Sequence, residues 1–185
     1  DALAQSFAPP LRLVGPQQAK WRGHGRDDWT DEFFRLLPKD VADRIEFLGF
    51  HDYEGNPRRI IKHADAAYKY YGRKVWVTEF AFGKQASREM NNDFLRKVLP
   101  QMDATESIYR YAWFSTRNPD TDREGAVTQS SLLHGMYHKD DPYQNPWESL
   151  TSTGRIYHGN AVVQSKPCGL RWEEVLKKRN TWGSS

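Results

Sequence analysis

Residues 74–82 read KVWVTEFAF, an apolar run rich in β-branched and aromatic residues, with one carboxylate, Glu79, near its far end. Burying an ionised group in such a run is costly unless its charge is used or paired. An ionised carboxylate there either attacks or deprotonates a bound substrate, or is held by Lys or Arg as architecture. Two other runs carry groups that could work with it: IEFLGFHDY at 45–53 ends in His51 and Tyr53, and IYRYAWFST at 108–116 holds Tyr111 and Trp113. By period-two alternation, His51 and Tyr53 share a face with Phe47 and Gly49. Glu79 shares one with Val75 and Val77, and Trp113 with Tyr109, Tyr111 and Ser115. Trp76 and Phe80 have the opposite parity to Glu79 and are expected to pack against helices. If the three faces coincide, a carboxylate, an imidazole, a phenol and an indole converge at one end of their strands.

These groups need elements to hold them. The β-rich runs start with LRLVGPQ at 11–17 and alternate with amphipathic stretches. DDWTDEFFRLL at 27–37 predicts a helix capped by Asp27 or Asp28. NPRRIIKHADAAYKYYG at 56–72 predicts one with Asn56 as cap, Pro57 at the first position and Gly72 as stop. SREMNNDFLRKVLPQM at 87–102 predicts a third, with Pro100 expected to end it early. Four near-continuous apolar strands separated by helices imply a parallel sheet covered by helices. A repeat of about 30 residues fits successive units of an eight-stranded β/α barrel, whose active sites lie at the carboxyl ends of the strands. Four units make half a barrel, so the fold class expected is α/β, a partial TIM barrel over residues 1–160 with a tail at 161–185.

The totals exclude several functions. Lys plus Arg is 27 and Asp plus Glu 24, a net charge of +3, which makes no case for nucleic acid or an anionic membrane as partner. No run reaches the roughly 18–20 apolar residues of a membrane span. Cys168 is the single cysteine, so no intrachain disulfide or cysteine-rich zinc site forms. His134 and His138 are spaced i, i+4 in HGMYH, but a metal needs further ligands, and no metal or other cofactor is expected. GHGRDD lacks the third glycine of a dinucleotide loop, and no G-x-S-x-G elbow supports a serine hydrolase. Lys177, Lys178 and Arg179 read as a solvated helix face. Seven Trp and nine Tyr exceed ordinary packing needs, and such flat amphipathic rings suit sugar faces.

The stretches GFHDY, KVWVTEFAFG, YRYAWF, and SSLL followed by LTSTGRIYHG resemble the C-terminal half of the catalytic core of glycoside hydrolase family 128, the β-1,3-glucanases of a retaining-barrel clan. The resemblance runs from about Leu11 to Tyr157. It implies Glu79 as the catalytic nucleophile at the end of the seventh barrel strand. It also implies His51 and Tyr53 as sugar-site residues at the end of the sixth, and Trp113 as an aromatic platform on the eighth. Tyr111 and Trp147 are further candidates for a sugar groove. The partner implied is a β-1,3-glucan polysaccharide, in an extracellular or wall-associated setting.

One departure accompanies the resemblance. The family's acid/base is a Glu in an Asn-Glu-Pro type motif on the fourth strand, and no Asn-Glu dipeptide occurs in this sequence. The expectation is a truncated enzyme whose N-terminal half-barrel segment lies elsewhere, with open sheet edges at LRLVGPQ and IYRYAWF. A glucan-binding module that keeps the aromatic platforms without the catalytic pair is the alternative. The polar stretch from Thr116 to about Leu150 is long for a connection and is expected to line a site or to be an insertion. LTSTGRIYHG is expected to form a closing helix capped by Thr151 or Ser152.

Overall fold

The computed structural model describes residues 12–19, 21, 28–83, 86–116, 128–133 and 150–164. Four strands, β1 (Leu13–Gln18), β2 (Ile45–Asp52), β3 (Lys74–Phe80) and β4 (Ile108–Trp113), form one parallel sheet in sequence order. Between them run α1 (Asp28–Leu36), α2 (Lys39–Arg44), α3 (Pro57–Tyr71) and α4 (Arg88–Ala104). A 3-10 turn at Thr128–Ser130 and α5 (Ser152–Gln164) follow. The expected α/β alternation with an all-parallel sheet is what forms. Among the described residues β1 and β4 each pair on one side only.

The helices start and stop for local reasons. The Asn56 side chain accepts the Arg58 N–H at 3.1 Å, Pro57 opens α3, and Gly72 at φ +66° closes it with its N–H on the Tyr68 carbonyl. Ile60, Ala64 and Ala67 form its buried stripe. Ser87 caps α4 by accepting the Met90 N–H at 3.2 Å. Contrary to expectation, α4 runs through Pro100 to Ala104. Pro100 is exposed, while Val98, Leu99 and Met102 around it are buried in the core, and that burial outweighs the lost backbone bond. Thr151 caps α5, its hydroxyl accepting the Gly154 N–H at 3.0 Å. The short α2 had no clear sequence signal: it buries no residue.

One face of the sheet packs on the helices. Leu48, Phe50, Val75, Val77, Phe80 and Trp113 meet Ile60, Ala64, Phe94, Leu95 and Val98 in one core. The other face gathers Phe47, Trp76 and Tyr109. Phe47 and Tyr109 stack at 4.4 Å although their strands are two apart, where a flat sheet would hold them about 9–10 Å apart. Arg12, just before β1, lies 4.6 Å over the Phe47 ring and donates to the Tyr109 hydroxyl at 2.7 Å. Side chains on this face converge, so the sheet is concave there.

Simple alternation does not survive along β3 and β4. Register shifts fall between Phe50 and His51 in the β2–β3 pairing, and between Val75 and Trp76 and between Val77 and Phe80 in the β3–β4 pairing. Each shift moves one face's residues to the other. Phe80 rather than Glu79 therefore continues the helix-facing row of Val75 and Val77, touching Phe94 at 6.3 Å and Trp113 at 5.1 Å between ring centroids. Trp76 does not pack against helices as its parity suggested but stands with Phe47 and Tyr109 on the concave face. Tyr109 and Tyr111 part company: Tyr111 turns to Phe80 and to Tyr157 of α5.

Candidate functional site

The carboxyl ends of β2 and β3 meet in register at His51 and Glu79. Tyr53, one residue beyond β2, turns back so that its hydroxyl donates to Glu79 Oε2. His51 Nδ1 lies 3.3 Å from the same oxygen. The His51 and Tyr53 rings meet edge-on at 6.5 Å. Burial, and after it the hydrogen bond and charge of Glu79, push the Tyr53 phenol well above the ordinary tyrosine range, so it stays a donor. The Glu79 side chain keeps 33% of its exposure, so it can be reached. The Tyr53 hydroxyl donates to one of its oxygens and His51 lies beside that oxygen, while Oε1 has no hydrogen-bond partner among the described residues. Such a carboxylate is oriented and able to accept a proton or attack an electrophile.

Of the five singled-out residues that are described, three come together: Glu79, His51 and Tyr53. Trp113 and Tyr111 do not join them. Trp113 is 6% exposed, wedged against Phe80 and Phe94, with its indole N–H donating to the Ser130 carbonyl at 2.6 Å. Tyr111 donates to Asp103 at 2.7 Å, and Asn160 of α5 donates to both Asp103 and Tyr111. Both therefore lie on the helix side, because the shifts in β3 and β4 carry them there. Trp147, His134, His138, Cys168 and the Lys177–Arg179 run lie outside the described residues.

The aromatic at the site from β4 is the next residue, Phe114, whose ring meets Tyr53 edge-on at 5.9 Å. Alternation excluded it, and only knowledge of the register shift would have found it. Beneath the site, Asp52 is 3% exposed and faces the helices, with Oδ2 3.3 Å from Arg59 Nε. Burial raises its pKa, opposed by the Glu54 N–H and by Arg59.

Comparison with known proteins follows the same lines. A family model described as the glycosyl hydrolase catalytic core matches residues 2–157. No curated protein matches the chain. A subgroup I endo-β-1,3-glucanase of glycoside hydrolase family 128 from Amycolatopsis mediterranei, solved with laminaritriose, is 23% identical at a TM-score of 0.59. It covers 81% of this chain and 58% of its own. A subgroup III curdlan-specific exo-β-1,3-glucanase from Blastomyces gilchristii, solved with glucose, is 27% identical at a TM-score of 0.52, over 83% of this chain and 56% of its own. A subgroup VII oligosaccharide-binding protein from Trichoderma gamsii is 17% identical at 0.54, over 88% and 59%. The chain thus spans a little over half the length of these structures. Among the described residues no helix is long and apolar enough to cross a membrane.

Proposed function

Because the chain belongs to the glycosyl hydrolase catalytic core family, and within it to glycoside hydrolase family 128, we propose that Glu79 is the nucleophile of a retaining β-1,3-glucan hydrolase. The observation that carries this reading is the convergence of the Tyr53 hydroxyl and the His51 imidazole on one Glu79 oxygen at the carboxyl ends of parallel strands. In a retaining reaction the ionised carboxylate attacks the anomeric carbon while a second, protonated carboxyl about 5–5.5 Å away protonates the leaving oxygen, and then activates water to release the sugar. Tyr53 donates to Oε2 with His51 beside it, leaving Oε1 to form the bond. Phe114 and Tyr53 offer flat faces to a sugar ring.

The proton donor is not among these residues, and the absence of an Asn-Glu dipeptide agrees with its coming from elsewhere. We read the sheet as the last four β/α units of an eight-stranded barrel, in residues 1–160, completed by a complementary half-barrel that brings the second carboxyl. The concave face, the one-sided pairing of β1 and β4 among the described residues and the share of the relatives' length that the chain covers support this. An extracellular or wall-associated setting goes with a polymeric glucan substrate.

A second reading is a glucan-binding module without hydrolysis, favoured by the oligosaccharide-binding neighbour from Trichoderma gamsii. One experiment separates them. Laminarin is titrated into the chain alone and into the chain mixed with a polypeptide carrying the first four β/α units of a family member. Binding and release of reducing ends in the mixture, abolished by Glu79→Gln, supports the hydrolase. Binding without release in both samples leaves the module, and neither binding nor release defeats both readings.

A further inference from the structure

The loops that leave β2 and β3 are tied to each other by more bonds than a turn needs, and the ties surround Tyr53 and Glu79. Asn91, on the first turn of α4, is fully buried. A buried asparagine in a helix interior is unfavourable unless both ends of its amide are satisfied. Here both are satisfied by the loop that follows Glu79: Oδ1 accepts the Phe82 N–H at 3.2 Å, and Nδ2 donates to the Ser87 carbonyl at 3.2 Å. Phe82 forms an antiparallel bridge to Glu54, the residue after Tyr53.

Asp52 grips from the other side. Its Oδ1 accepts the Glu54 N–H at 3.0 Å, and its carbonyl accepts the Ala81 N–H at 3.3 Å. The loops approach so closely that side chains are excluded at two glycines. A Cβ on Gly83 would come within 2.7 Å of the Tyr53 carbonyl, and one on Gly55, at φ +64°, within 2.5 Å of the Phe82 ring.

We propose that Asn91 and Asp52 are positioning residues, which clasp the two loops so that the Tyr53 hydroxyl stays on the Glu79 carboxylate. The inference deepens the reading of Glu79 as the working group and rests on it, but its geometry stands apart from any activity. Hydrogen bonds weaken steeply with misalignment, so a shift of about 1 Å in either loop would release the phenol. Asn92, the next residue, serves as an internal control. It is also buried and also makes two side-chain bonds, but to Ser152 and Thr153 of α5, away from the clasp.

The test is nitration of Tyr53 by tetranitromethane at about pH 8, mapped by mass spectrometry on the full chain, with Tyr111 in the same sample as reference for general loosening. The reagent reacts with phenolate, and the free phenol of a released Tyr53 ionises more readily. Asn91→Ala and Gly83→Ala are expected to speed Tyr53 nitration about tenfold relative to Tyr111, the change in phenolate that one pKa unit brings. Asn92→Ala, which loosens α5 beside Tyr111, is expected not to raise that ratio. Gly83→Ala wedges the loops apart without removing a hydrogen bond, so it answers the question if Asn91→Ala does not fold. An unchanged ratio in the clasp variants, or the same rise in Asn92→Ala, overturns the proposal. Because no glucan enters the assay, its outcome is independent of whether the chain hydrolyses one.

Discussion

Replacing Tyr53 with phenylalanine removes one oxygen, and the structure says how the loss should depend on pH. Near neutrality the variant loses a hydrogen bond to a charged, half-exposed acceptor, which is a loss of about 1–2 kcal/mol. The folded protein holds this phenol protonated above the ordinary tyrosine range, through burial first and Glu79 second. A raised folded pKa gives stability that is fully present below the unfolded pKa of about 10 and is lost as pH rises above it. Between about pH 10 and 11 the unfolded chain releases a proton that the native state keeps. The wild-type advantage over Tyr53→Phe should therefore shrink, by at most about 1.4 kcal/mol at pH 11 and by roughly half that after solvent screening. Urea unfolding of both proteins at about pH 7, 9, 10 and 11 measures the gap directly. A gap that stays constant across this range would refute the geometry, since the phenol would then titrate alike in both states.

Glu79→Gln preserves shape and removes the attacking charge, so glucan release by a completed barrel should fall by at least about a thousandfold with binding largely retained; a loss of only a few fold excludes nucleophilic catalysis. Trp113→Phe should cost about 1–2 kcal/mol through its lost bond to Ser130 and smaller volume, leaving laminari-oligosaccharide binding within about twofold, whereas Phe114→Ala should weaken that binding about tenfold or more by calorimetry. The reverse ranking would return the platform to Trp113. Asn56→Ala removes the α3 cap and should lower stability by about 1 kcal/mol, or about 2–4 °C in Tm, with no change in binding.

Local signals were legible and cumulative ones were not. Asn56, Pro57 and Gly72 carry their instruction in their own chemistry, and α3 begins and ends where they say. The parallel order followed from apolar runs spaced by helices. Facing was another matter: alternation put Glu79, Trp113 and Tyr111 in line, and the two register shifts between β3 and β4 undid that for the two aromatics. A shift leaves no residue signature in VWVTEF or YRYAWF, because it arises from how two strands settle against each other. His51, Tyr53 and Glu79 stayed legible because they come at strand ends, where turning loops rather than strict alternation deliver the side chains. Pro100 misled for a similar reason, its local penalty being overridden by the buried side chains about it.

The contact between Arg12 and Tyr109 ties the two outermost strands by a strut thrown across the hollow of the sheet. A sheet braced in this manner carries part of its bend in a contact of its own. On the half-barrel reading proposed above, strands completing the ring would meet a template already curved to receive them, and their association would spend little free energy on reshaping it. Severing the brace with Arg12→Ala would then slow such an assembly while leaving the Tyr53 and Glu79 contact in place.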